Sequence, residues 1–198
     1  MSFRFLKIEF YISVPFAVMI AFLLILDSTG YMSASIFAMV LHEAGHLVAM
    51  KLTHCEPRSV RCCIGGMTIV GKAFTEAKDS VIIALSGPMV NLILAAALWL
   101  IGSFCNNLLV LAFAVVQLLV GVVNLLPVKG LDGGTVLSIL LQKQTKLNPT
   151  LTATKVSIVT ASAVFVLGLA VAIKNVSNPS LLLLGIYLIM INVYRYSF

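Results

Sequence analysis

The chain has 198 residues, of which 61% are hydrophobic and only 10% charged, and its mean hydropathy is +1.10. Soluble domains run nearer half apolar and a quarter charged, so this much apolar surface cannot hide in one water-facing core, and an integral membrane protein is implied. The net charge of +6 invites a nucleic-acid reading, but the placement of the basic residues argues for membrane topology, and no nucleic-acid partner is expected.

In chain order, apolar runs long enough to cross a bilayer fall at 8–26, 32–53, 80–102, 106–127, 151–173 and 180–194. Turn and polar signals separate them: Asp27-Ser28-Thr29-Gly30, Cys105-Asn106-Asn107, Asn148-Pro149 and Asn178-Pro179. The first run opens on Arg4 and Lys7 like a signal peptide, but no small-residue cleavage site follows, so it is read as a retained span. Between the second and third spans, residues 59–72 read SVRCCIGGMTIVGK. Gly65-Gly66 between two β-rich stretches is the signature of a tight hairpin. Its low charge suggests that it dips into the membrane, where an exposed edge could accept a substrate strand; the plainer alternative is a hairpin that plugs the bundle. The expected fold class is an all-α polytopic membrane protein, with about six transmembrane helices and a short membrane-associated β-hairpin after the second. A single domain over 1–198 is expected, with a core at about 32–142 and peripheral spans at 8–26, 151–173 and 180–194.

With the N-terminus in the cytoplasm and six crossings, 12 of the 13 lysines and arginines fall on or near the cytoplasmic side, and only Lys174 falls outside. The positive-inside rule therefore predicts a multi-pass protein of the cell membrane with both termini cytoplasmic. Cys55, Cys62 and Cys63 fall on that reducing side, in no standard zinc spacing, and read as small apolar fillers.

Of the seven acidic residues, Glu43 lies inside an apolar span and Asp132 follows one closely. An ionisable group at such depth is costly and is a functional hypothesis by default. His42-Glu43-Ala44-Gly45-His46 is H-E-x-x-H. On a helix, positions i and i+4 share a face, so two imidazoles can grip one Zn²⁺, while the glutamate between them can reach a water held there. A catalytic zinc takes a third protein ligand. His54 lies past the helix end, and Asp132 in NLLPVKGLDGG (124–134) is the better candidate. Pro127, Gly130, Gly133 and Gly134 break the helix around it, and irregular backbone near a membrane survives where it is buried or lines a wet cavity. The alternative is a cytoplasmic turn with a solvated aspartate capping a helix at 133–142. At ~1.5 Å per residue, a straight helix from 106 would carry Asp132 ~39 Å from the outer end of its span, against ~15 Å for His42. The chain is therefore expected to bend or unwind near Pro127.

Together His42-Glu43-Ala44-Gly45-His46, Ser86-Gly87-Pro88-Met89-Val90-Asn91, and Asn124-Leu125-Leu126-Pro127 running to Leu131-Asp132-Gly133-Gly134 resemble the three motifs of the site-2 proteases, the intramembrane zinc metalloproteases. The compact form is most similar to the bacterial branch of the stage IV sporulation protein FB type, with Gly130 where Pro is common and Thr135 where Arg is common. The resemblance implies one zinc per chain held by His42, His46 and Asp132, Glu43 as the base, and a site toward the cytoplasmic side. It also implies that Asn91 and Asn124 help hold substrate or shape the cleft; interhelical hydrogen bonding is the alternative for both. Gly65 and Gly66 join them as candidate substrate-binding residues on the hairpin argument. The expected partners are a transmembrane protein or peptide substrate, the lipid bilayer and a regulatory membrane protein. The competing reading is a non-hydrolytic membrane zinc-binding or metal-transport protein, which predicts acidic and histidine residues strung along several spans; here they gather at one point.

Overall fold

A computed structural model gives the fold and describes residues 2–5, 8–55, 57–63, 66–71, 76–143, 148–174 and 179–194. The chain forms two compact units, Met1–Val122 and Val123–Phe198.

In the first unit, strands β1 (Ser2–Phe5) and β2 (Ile8–Ile12) precede helices α1 (Val14–Ile25) and α2 (Tyr31–Leu52). Strands β3 (Pro57–Cys63) and β4 (Gly66–Gly71) follow, then α3 (Ala77–Phe104) and α4 (Leu108–Asn124), whose last two residues belong to the second unit. The strands make one sheet in the order β1-β2-β3-β4, antiparallel except where β2 runs parallel to β3 with Glu9 opposite Ser59.

Two expectations change here. The first apolar run is not one helix over 8–26: Ile8–Ile12 is a strand, rich in β-branched and aromatic residues. Ser13 then caps α1, its hydroxyl accepting from the Phe16 N–H, with Pro15 in the first turn. The strand content also exceeds the single short hairpin expected, because β3 and β4 belong to a four-stranded sheet with β1 and β2. Strands β3 and β4 pair antiparallel, with Val60 opposite Ile69 and Cys63 opposite Gly66. Gly66 opens β4, while Gly65 lies outside the described residues.

Helices α2, α3 and α6 (Pro149–Lys174) are long and apolar enough to cross a membrane, whereas α1, α4 and α7 (Ser180–Tyr194) are apolar but shorter. Asp27 secures the start of α2, its carboxylate accepting from the N–H of Gly30 and from both the N–H and hydroxyl of Ser33. Those bonds, the Ser33 hydroxyl first, hold the Asp27 carboxyl down at about 2. At the other end His54 takes a left-handed φ of 56°, and the Cys55 N–H closes back onto the Met50 carbonyl. Cys55 packs with Ala49, Met50 and Ile83, an apolar filler as expected.

One stripe of α2 is buried: Ala34, Ala38, His42, Gly45, His46 and Ala49, spaced as one helical face. It packs on Ile83, Gly87, Pro88 and Asn91 of α3 at close range, since a Cβ on Gly45 would lie 2.8 Å from the Ser86 carbonyl oxygen. Small residues of this kind let helix backbones approach where lipid offers no hydrophobic drive.

In the second unit the chain leaves α4 at Asn124, turns through 125–131, and enters α5 (Asp132–Gln142), followed by α6 and α7. The unwinding expected near Pro127 is present. Helices α6 and α7 meet through reciprocal glycines: a Cβ on Gly168 would lie 2.6 Å from the Leu182 Cα, and one on Gly185 2.5 Å from the Phe165 Cα. Val128, Ala161 and Leu188, each 0% exposed, form the core of this unit.

Candidate metal centre

His42 and His46 lie one turn apart on the buried face of α2, 5% and 8% exposed. Helical spacing puts them on one side, but it does not set how the rings turn; α3 does that. The ring nitrogen Nδ1 of His46 lies 2.7 Å from the carbonyl oxygen of Ile83, which can only accept, so Nδ1 carries the hydrogen. His42 is fixed one step further out. The side-chain Nδ2 of Asn91 donates to the Ala38 carbonyl at 3.1 Å and to Gln117 Oε1 at 2.6 Å. That orientation leaves Asn91 Oδ1 facing His42 Nδ1 at 2.8 Å, so this Nδ1 is also the donor. Asn91 is 0% exposed and Gln117 2%.

Both imidazoles therefore present an Nε2 lone pair inward, and the two Nε2 atoms lie 3.2 Å apart with the rings at 83°. Two lone pairs facing each other repel unless a cation lies between them. Zinc bonds imidazole nitrogen at ~2.0–2.1 Å, and a tetrahedral angle then separates two nitrogens by ~3.3 Å, close to what is found. Space is also kept for such an ion. A Cβ built on Gly87 would sit 2.4 Å from His46 Nε2 and 2.8 Å from His42 Nε2; any side chain at this position would fill the gap into which both donors point. Both rings hold their second nitrogen on an acceptor, the usual device for aiming a metal-ligating histidine. The donor set of this unit fits a metal ion of zinc type.

Glu43 is half-buried beside His42 on the same helix. An apolar cleft of about 440 Å³ opens along α2 and α3, lined by Leu41, Ala44, Gly45, Val48, Ile82 and Ser86 among others. His54 stands exposed in the turn after α2. In the second unit Asp132 is the first residue of α5 and partly buried, and Asn124, also partly buried, ends α4.

The structure brings His42, His46 and Asn91 together, and gives Asn91 a contact with the His42 ring. Sequence reasoning missed Gln117, although it is a lone amide in the apolar run LLVLAFAVVQLLVGVV. It missed the Ile83 carbonyl too, which no residue type announces. Nor does the motif Ser86-Gly87-Pro88 by itself announce that Gly87 faces both Nε2 atoms.

A buried imidazole pair on an apolar helix, with a glutamate between the two histidines in sequence and a glycine facing both Nε2 atoms, is an arrangement that suits a metal ion. Comparison with known proteins leads the same way. A model of Peptidase family M50 matches residues 103–169. A curated zinc metalloprotease of Methanocaldococcus jannaschii is 29% identical over 141 residues, 63% of this chain. The matched stretch spans 41% of that relative's length. Among solved structures, the site-2 protease from Methanocaldococcus jannaschii superposes with a TM-score of 0.65 at 21% identity, covering 98% of this chain and 94% of that one. The resemblance to the site-2 proteases read from the motifs is met in family match, relative and fold.

Proposed function

We propose that the chain is an intramembrane zinc metalloprotease that hydrolyses a peptide bond within or next to a transmembrane segment of a membrane protein, one domain over 1–198 acting in regulated intramembrane proteolysis. The observation that carries this reading is the pair of inward-turned Nε2 atoms 3.2 Å apart beside Glu43, on a helix apolar enough to cross a membrane. His42 and His46 hold the zinc, and Asp132 is the third ligand, supplying negative charge from the first turn of α5. Bound zinc contributes Lewis acidity, which acidifies water and polarises a carbonyl. Glu43 takes the proton from the attacking water and hands it to the leaving amine. Asn91 holds His42 in the tautomer with the hydrogen on Nδ1 and the lone pair on Nε2. The second nitrogen of His46 is held by a backbone carbonyl, so its aim survives most side-chain changes nearby.

The substrate helix must unwind for its carbonyls to be reached, and the freed strand needs hydrogen-bond partners. The β3–β4 hairpin around Gly65 and Gly66, lying at the membrane, offers an edge for it, and Asn124 shapes the cleft. Both termini are cytoplasmic, the protein is multi-pass in the cell membrane, and the site faces the cytoplasmic side. Its partners are the bilayer, a transmembrane substrate and a regulatory membrane protein.

Comparison of membrane-protein N-termini by mass spectrometry, in cells expressing the wild type or Glu43→Gln, tests this. New termini within or beside transmembrane segments, absent with Glu43→Gln, are the expected result. Purified chain that carries no zinc would overturn the reading.

A further inference from the structure

We infer that Ser157 on α6 and Asn192 on α7 are positioning residues for Asp132, on the reading above that Asp132 is a metal ligand. The loop 125–131 is irregular backbone, and each of its buried N–H groups needs a partner. Three residues before Asp132, the Lys129 N–H donates to Ser157 Oγ at 2.8 Å. The Ser157 hydroxyl donates in turn to Asn192 Oδ1 at 2.5 Å. Asn192 Nδ2 donates to the Leu188 carbonyl at 2.8 Å, which can only accept, so the amide orientation is settled and the chain of donors runs one way. Ser157 is 0% exposed and Asn192 6%.

The residue before Lys129 is gripped by the same two helices, since Val128 is packed against Ala161 and Leu188. From there the chain passes Gly130 at φ 97° and reaches α5 at once. Helices α6 and α7 thus hold one side chain and one backbone N–H immediately upstream of the aspartate. Adhesion between these helices does not need the polar pair, because Gly168 and Gly185 already bring their backbones into contact. A buried serine–asparagine pair is costly unless its bonds are used, and the use found here is to dock the loop.

The test uses the full chain in detergent and reads zinc affinity by chelator competition, with the visible spectrum of the Co²⁺-loaded protein as a report on ligand geometry. Ser157→Ala is expected to weaken zinc ~10-fold and to alter the Co²⁺ bands, as loss of outer partners does at other metal sites. Asn192→Leu should do the same, and the double variant should be little worse than either, because the residues act as one unit. Asn192→Asp keeps an acceptor for Ser157 but sets its other oxygen against the Leu188 carbonyl, so it should lose less affinity than Asn192→Leu without matching the wild type. Variants that melt at lower temperature but keep wild-type zinc affinity and Co²⁺ spectrum would overturn the inference and leave the pair a packing device. Asp132→Ala, measured alongside, separates the two readings. If it weakens zinc and Ser157→Ala does not, the positioning role alone falls. Should Asp132→Ala leave zinc affinity unchanged, the ligand assignment falls and this inference with it.

Discussion

On α2, His42 and His46 stand on an unbroken helix, and their rings are aimed by hydrogen bonds from α3: an asparagine side chain for one, a backbone carbonyl for the other. Asp132 stands at the first turn of α5 behind the irregular stretch 125–131, and its place is set by backbone contacts and by glycine. A regular helix supplies the i, i+4 spacing without further help but leaves ring rotation free. A loop can bring a residue anywhere but must have every dihedral fixed. Substitutions around the histidines should therefore change metal affinity while the fold persists. Substitutions in the loop should cost fold and affinity together.

The largest expected effect is at Gly87. Alanine there would put a methyl within 2.8 Å of both Nε2 atoms. What it meets is the tips of two side chains, which can swing aside, and alanine is the better helix former by about 1 kcal/mol. Gly87→Ala should thus still fold, the helix gain offsetting part of what the displaced rings lose in hydrogen bonds to Asn91 and Ile83, and yet bind no zinc, a loss beyond the ~100-fold that outer partners cost. Full zinc occupancy in that variant, measured by elemental analysis, would break the assignment of the gap to a metal.

Gly134→Ala should behave in the opposite way. Its Cβ would lie 2.1 Å from the Val128 carbonyl oxygen and 2.5 Å from the carbonyl carbon, backbone atoms that cannot swing. The loop must shift, at about 3 kcal/mol by the usual cost of overpacking, and zinc affinity should fall with it. Wild-type thermal stability together with wild-type zinc affinity would erase the contrast between the two regions.

How far the sequence disclosed this arrangement follows from the same contrast. H-E-x-x-H was legible because helical period alone puts its histidines on one face, and the break before Asp132 because Pro127 and Gly130 interrupt a helix; Gly133 and Gly134, read as breakers too, lie inside α5. The strand at Ile8–Ile12 was lost inside an apolar run, since periodicity does not separate a short strand from the start of a membrane helix. The tautomers were illegible because they depend on Ile83 and Ala38, whose carbonyls every residue possesses. Asn91 was visible but drawn toward substrate; its burial and its three hydrogen bonds turn it toward His42.

The smallest predicted effects follow that hydrogen-bond chain outward. Asn91→Leu preserves volume and removes the acceptor at His42 Nδ1, so zinc affinity should fall 10- to 100-fold, the range for such partners (~10–100). Asn91→Asp keeps an acceptor for Nδ1 but sets it against the Ala38 carbonyl and Gln117 Oε1, both of which now accept from Nδ2. Its loss should be intermediate. Gln117→Met leaves His42 and Asn91 bonded to each other and removes only the outer anchor, so a loss of about threefold is expected, below that of any directly bonded partner. Zinc competition on the three variants gives the order directly. If Gln117→Met costs as much as Asn91→Leu, the His42 ring is aimed by packing across the whole α2–α3–α4 contact within the first unit and not by a graded chain of hydrogen bonds.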